Sequence, residues 1–359
     1  MHRGEGGTGV EKTRNDGIEA LRLLFMFMVC LLHILGQGGV LAACQPGTAA
    51  YGLFWLMEAV GYCAVDGFAF ISGYTAKNRP QQWEKIVDMW FQEWFYSLVL
   101  SLLLGAAGVG SAPGLTELLH YCFPVTFHVF WYFTAYVALF FAAPVLNAFL
   151  FRVAEAAAKR AFLLLVGLFS VLGTVADPFH TKGGYSALWL MAVYCMGALA
   201  RRIRLFEGKK SGVLVLMWLG CSLITWAGYV FGGMGRWMSY LSPTVLMSAM
   251  VLVVLFSRLP VKGNLVRKVT PAVFGIYLFQ VNPVVWSGLL YNACGFVVSE
   301  PLPIGAACVL GAAGVLFAVG FAVETVRLKL AQWLCLNAAS QKAVAVLDGM
   351  LGRLAVLLR

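Results

Sequence analysis

Apolar residues in this chain come in runs of bilayer-crossing length, which restricts its fold more than any motif does. A hydrocarbon core of about 30 Å takes roughly 20 apolar residues as a helix. Ten stretches approach or exceed that length, at 18–36, 53–73, 90–109, 129–150, 161–176, 185–200, 212–231, 238–257, 271–291 and 303–323. Inside lipid every backbone N–H and C=O needs a partner within the protein, so only helices or closed barrels span. The runs are continuous rather than alternating, which excludes barrel strands. Composition agrees: 61% of the residues are hydrophobic and 12% are charged, against about a quarter charged in a soluble domain. The expected fold is all-α, a polytopic membrane protein with a bundle of about ten transmembrane helices.

The basic residues test this map. Placing the N-terminal leader, every second loop and the C-terminal tail on one side puts 23 of the 26 Lys and Arg residues there. Only Lys182 and Arg236 fall on the other side, and Arg22 lies inside the first segment. By the positive-inside rule both termini are expected in the cytoplasm. The net charge of +10 is therefore a matter of topology, and a nucleic-acid partner is not expected. Nine cysteines are scattered with no C-x-x-C spacing, so no metal or redox centre is indicated. Residues 1–17 read as a polar cytoplasmic leader. No small-residue cleavage site follows the first apolar run, which reads as a retained signal anchor. Residues 18–323 form one membrane domain without internal repeats. Residues 324–359 read as an amphipathic tail lying on the inner leaflet.

A charge at the centre of a membrane helix costs on the order of 3 kcal/mol, so such residues face the bundle interior and have partners. The intramembrane polar residues are Arg22 and His33 in the first segment, Glu58 and Asp66 in the second, and Gln280 and Asn282 in the ninth. Arg22 and His33 are eleven residues apart, about three turns, so they share a face at a separation of about 16 Å. Helical rise puts Glu58 near the depth of His33 and Asp66 near that of Arg22, allowing two opposite-charge pairings. Each residue also has a plainer reading. Arg22 can be a snorkelling anchor, His33 an interhelical hydrogen bond, and Glu58 and Asp66 counter-ions. On residues alone the choice stays open between a transporter and an intramembrane enzyme.

Four stretches resemble the acyltransferase 3 family of bacterial integral-membrane O-acyltransferases. EALRLLFMFMVCLLH (Glu19–His33) is similar to the family's first-helix signature of an Arg and a His separated by ten residues. AVDGFAFISGYTAKNRP (Ala64–Pro80) is similar to its V-D-x-F-F-x-x-S-G-Y/F stretch, with Asp66, Phe68, Ser72, Gly73 and Tyr74 matching. HVFWYFTAYVALFFAAPVLN (His128–Asn147) is similar to W-Y-F-x-x-Y-x-x-L-x-x-x-P-x-x-N. FGIYLFQVNP (Phe274–Pro283) is similar to S-x-x-I-Y-L-x-H.

The resemblance implies transfer of an acyl group, usually acetyl, from cytoplasmic acyl-CoA to a sugar hydroxyl of a surface or secreted glycan or its lipid-linked precursor. Acyl-CoA is then a co-substrate, with no bound cofactor and no metal. The partners are membrane lipid and the glycan acceptor, the location is the bacterial cytoplasmic membrane, and a homo-oligomer is compatible with all of this. His33 takes the role of base and Arg22 handles the donor. A hydroxyl is a poor nucleophile near neutral pH, and His is the usual base for it. Glu58 would orient the imidazole, and Arg22 would meet a CoA phosphate or be held by Asp66. Asp66, Ser72, Tyr74, His128, Trp131, Tyr132, Gln280 and Asn282 are the expected donor- and substrate-binding residues.

Where the family often has a His, this chain has Gln280, whose role is limited to hydrogen bonding. The C-terminal hydrolase-like domain of some members is not expected here, so the enzyme works alone or with a separate partner. The competing readings are a transporter or flippase for a lipid-linked glycan, and a non-catalytic subunit whose polar residues only join helices.

Overall fold

Among the described residues of the computed structural model the secondary structure is helical and contains no strand. The structure describes residues 15–78, 82–261, 263–334, 341–346 and 349–350. The leader expected over 1–17 therefore falls, as far as Arg14, outside the described residues, as does most of the tail beyond 334.

Helix α1 (Asp16–Leu35) is capped by Asn15, whose Oδ1 accepts from the Ile18 amide. A short α2 (Val40–Ala43) leads to α3 (Ala49–Gly61) and α4 (Ala64–Tyr74), which share one apolar run with a break between them. Next come α5 (Trp83–Trp94) and α6 (Ser101–Ala106), joined by a π-helical turn at Phe95–Leu100, and then α7 (Leu115–Cys122) and α8 (Trp131–Leu150). α9 (Glu155–Leu165) and α10 (Leu172–Ala176) are joined by a second π turn, Val166–Val171. They are followed by α11 (Ala187–Arg202), α12 (Ser211–Val230) and α13 (Pro243–Ser257). The chain ends in α14 (Asn264–Val269), α15 (Val273–Gln280), a third π segment at Val285–Leu290, and α16 (Leu302–Trp333).

Among the described residues six helical stretches are long and apolar enough to cross a membrane: Asp16–Leu35, Ala49–Tyr74, Trp131–Leu150, Glu155–Ala176, Ser211–Val230 and Leu302–Trp333. A bent pair, 264–280 with 285–299, makes a seventh if counted as one span. The other three stretches of the ten are helical too. α11 and α13 have 16 and 15 residues, and α5 opens with Glu84, Lys85 and Asp88. The ninth stretch is not one helix: it bends by 73° after Gln280, where Pro283 follows and cannot donate to a helical ladder. The tenth runs on to Trp333, so the boundary expected at 323/324 lies inside a continuous helix.

α1 forms the middle of the bundle, against α3, α4, α13, α15 and α16. Leu21, Phe25, Cys30 and Leu35 on it are fully buried. Helices α8, α9, α12 and α16 turn large apolar side chains outward, among them Phe149, Leu163, Leu216 and Val315, as a lipid-facing surface requires. α4 and α11 make the closest pair. A Cβ on Gly73 would strike the Tyr194 carbonyl oxygen, and one on Gly197 would strike the Phe70 carbonyl oxygen. Small residues that let backbones approach are how helices associate in lipid.

Candidate active site

A cavity of about 930 Å³ runs through the bundle beside α1, within the size range of small-molecule sites. Arg22 and His33 both line it, at opposite ends of the face they share. Hydrogen bonds fix which helix ends belong together. At the Arg22 end Asn15 Nδ2 donates to the Ser257 carbonyl (2.8 Å), and Tyr74 Oη lies 3.5 Å from Ser257 Oγ. Arg201 donates to the Tyr74 carbonyl and Arg202 to that of Phe151. Arg267 reaches Asp16 with both Nε (2.8 Å) and Nη2 (2.9 Å). These contacts gather the start of α1, the ends of α4, α8, α11 and α13, and helix α14 at one end. The starts of α8, α11 and α13, which carry or follow Trp131, Tyr185 and Tyr240, therefore stand at the His33 end.

His33 has a defined partner. Its Nδ1 lies 2.9 Å from Oε1 of the fully buried Gln280. The Gln280 amide nitrogen points to Met26 Sδ at 3.3 Å, which leaves the carbonyl oxygen facing the ring. An amide oxygen only accepts, so Nδ1 carries the proton and Nε2 keeps a lone pair. Trp286 meets the imidazole edge to face, with ring centroids 4.9 Å apart and planes at 89°. Its own carbonyl accepts from Gln37 Nε2 at 2.9 Å. The ring is thus held on two sides.

The expected pairings are replaced. Glu58 lines the cavity, but no hydrogen bond joins it to His33, and its buried Oε2 has no hydrogen-bond partner. Asp66 accepts from Trp189 Nε1 at 2.8 Å and does not line the cavity. The depth count fixes height along the helix but not rotation about its axis, and Asp66 faces Trp189 on α11. Ser72, Trp131 and Tyr132 line the cavity, with Ser72 Oγ donating to the Phe68 carbonyl at 2.9 Å.

Three other expected residues lie elsewhere. Tyr74 sits in the contacts at the helix ends. His128 is exposed, with φ of 53°, in the loop before α8. Asn282 is a buried clamp: Oδ1 accepts from the amides of Val284 and Val285, and Nδ2 donates to the Tyr96 carbonyl (2.6 Å) and Ser101 Oγ (2.8 Å). The helix bend and the π turn before α6 are what its amide joins. The lining also includes Tyr62, Tyr136, Tyr185 and Tyr240, which the sequence reading missed. Tyr185 and Tyr240 precede their helices, where no helical period marks a face.

The bundle and its cavity define a multi-pass helical membrane protein with an internal site large enough for a small molecule. The acyltransferase 3 family, an acyltransferase domain, matches residues 15–323. The chain belongs to that family of membrane acyltransferases. No curated protein and no solved structure gives a significant match to the chain.

Proposed function

We propose that this protein O-acylates a sugar hydroxyl, with acyl-CoA as donor and acetyl as the group moved, in the bacterial cytoplasmic membrane. The observation that carries the reading is the continuous cavity joining Arg22 to His33 in a chain of this family. The separation of about 16 Å along α1 suits an extended pantetheine arm, with the nucleotide at the Arg22 end and the thioester near His33. Arg22 meets a donor phosphate there, which guanidinium geometry favours.

The acceptor hydroxyl gives its proton to His33 Nε2 as its oxygen attacks the thioester carbonyl. The tetrahedral intermediate collapses with loss of the CoA thiolate. The imidazolium returns the proton to that thiolate, so ester and free thiol are the products and His33 is restored. Gln280 and Trp286 hold the ring through this cycle, and Ser72, Trp131 and Tyr132 shape the chamber.

In this reading all ten apolar stretches cross, with both termini cytoplasmic. The gathering of Arg201, Arg202 and Arg267 at the Arg22 end supports placing that end inside. The acceptor is then a surface glycan or its lipid-linked precursor.

The test is the O-acetyl content of surface glycan, by NMR, in a deletion strain complemented with wild type or His33→Ala at matched membrane levels. Wild type is expected to restore the O-acetyl signals and His33→Ala is not. Unchanged acetylation on deletion, with glycan export reduced, overturns the enzyme in favour of a transporter.

A further inference from the structure

One wall of the cavity has no part in the transfer step. Trp131, Tyr185, Tyr240 and Tyr62 meet ring to ring, with centroid separations of 4.6 Å (Trp131–Tyr185), 5.0 Å (Tyr185–Tyr240) and 4.8 Å (Tyr62–Tyr240). They come from four places in the chain: the first residue of α8, the loops before α11 and α13, and the C-cap of α3. All four line the cavity at its His33 end. One turn before Tyr62 on α3 stands Glu58, 8% exposed, lining the same cavity with Oε2 unpartnered.

Hydrophobic packing accounts for aromatic rings in a core, but not for rings on a cavity wall beside a buried oxygen that lacks a partner. A buried carboxylate oxygen without a protein donor calls for one, and this one belongs to a residue that lines the cavity. The two features ask for complementary chemistry. Aromatic faces bind an apolar C–H face, and a carboxylate accepts hydroxyl protons at that ring's rim. A pyranose has both. A quaternary ammonium also suits aromatic rings and a carboxylate, but it needs rings set around a void. Here the rings pack on one another along one wall, Tyr62 against Tyr240 at 25° and Tyr185 tilted by 53° and 52° to Trp131 and Tyr240, and do not surround a void.

We infer that Trp131, Tyr185, Tyr240 and Tyr62 form an acceptor subsite on which a pyranose ring stacks, with Glu58 accepting one of its hydroxyl protons. The inference rests on the sugar-acylating reading of the same cavity and extends it. Glu58 holds the acceptor instead of orienting His33, whose Nδ1 Gln280 already engages.

The test reads binding apart from catalysis. Full-length protein in nanodiscs is mixed with methyl pyranosides (gluco, galacto, N-acetylglucosamine and rhamno), and with choline, and followed by saturation-transfer difference NMR. At least one glycoside is expected to show saturation on its ring protons, and choline is not. Tyr240→Ala, Trp131→Ala and Glu58→Gln are each expected to weaken that signal by about fivefold or more. His33→Ala and the ring-preserving Tyr240→Phe are expected to keep it, with variants compared at matched thermal melting.

No saturation from any glycoside, equal saturation in Tyr240→Ala, or binding of choline instead overturns the subsite. Acyl transfer is assayed in the same preparations. Saturation without transfer would sink the enzyme reading and leave the subsite standing, and transfer without saturation would do the reverse.

Discussion

In the proposed transfer His33 serves as base in one tautomer and one orientation, and Gln280, 2.9 Å from Nδ1, is placed to hold both. Gln280→Leu keeps the apolar packing but removes the acceptor facing Nδ1–H. The expected result is a fall in kcat of about tenfold or more, a fraction of what a positioned base contributes, with both KM values nearly unchanged. Steady-state rates with purified protein check this, and a change confined to KM would place Gln280 in substrate binding. A second test concerns Asp66, bonded to Trp189 Nε1. Trp189→Phe leaves both buried carboxylate oxygens without a donor. It is expected to lower stability by about 1–3 kcal/mol, seen as a lower melting temperature, with donor KM unaffected because Asp66 lies off the cavity.

Among the elements, the α4–α11 contact and the Asn282 clamp set the geometry around the site. Gly73→Val and Gly197→Val put side chains against the Tyr194 and Phe70 carbonyls. Each is expected to force the helices apart and sharply reduce folded yield in detergent, read by size-exclusion chromatography. Gly220→Ala on α12, where a Cβ meets nothing within 4 Å, is the control and is expected to behave as wild type. The Gly of the S-G-Y motif is thus explained by close backbone approach, and its neighbour Ser72 by the cavity.

For the whole molecule, α16 is tied to the bundle at Glu324, which accepts from Gln92 and Tyr96 while Arg327, one turn further along the same helix, pairs with its charge. Glu324 is 1% exposed and meets Arg327 with both oxygens (2.7 and 2.8 Å), while Gln92 and Tyr96 donate to it at 3.1 and 2.9 Å. Removing one member of such a pair costs about 3–5 kcal/mol. Arg327→Leu is therefore expected to be destabilised by that order in thermal unfolding, and a chain cut after Val323, where the family match ends, is expected not to accumulate. The sidedness proposed above predicts that single reporter cysteines at Gly208 and at Gly235, in a background without accessible thiols, label from opposite faces of the membrane.

The sequence by itself determined the class. Long apolar runs leave the backbone no alternative to helix in lipid, and spacing on α1 places Arg22 and His33 on one face because a single unbroken helix keeps its period. Tertiary structure decided everything that depends on how one helix meets another. The packing of α4 on α11 set Asp66 against Trp189, and the bend after Gln280 made Asn282 a clamp. Loop ends carried Tyr185 and Tyr240 to a wall with Tyr62 and Trp131. Depth counting assumes straight helices and says nothing of rotation about their axes, so His33's partner Gln280 and the unpaired state of Glu58 Oε2 appear only once the bundle is packed.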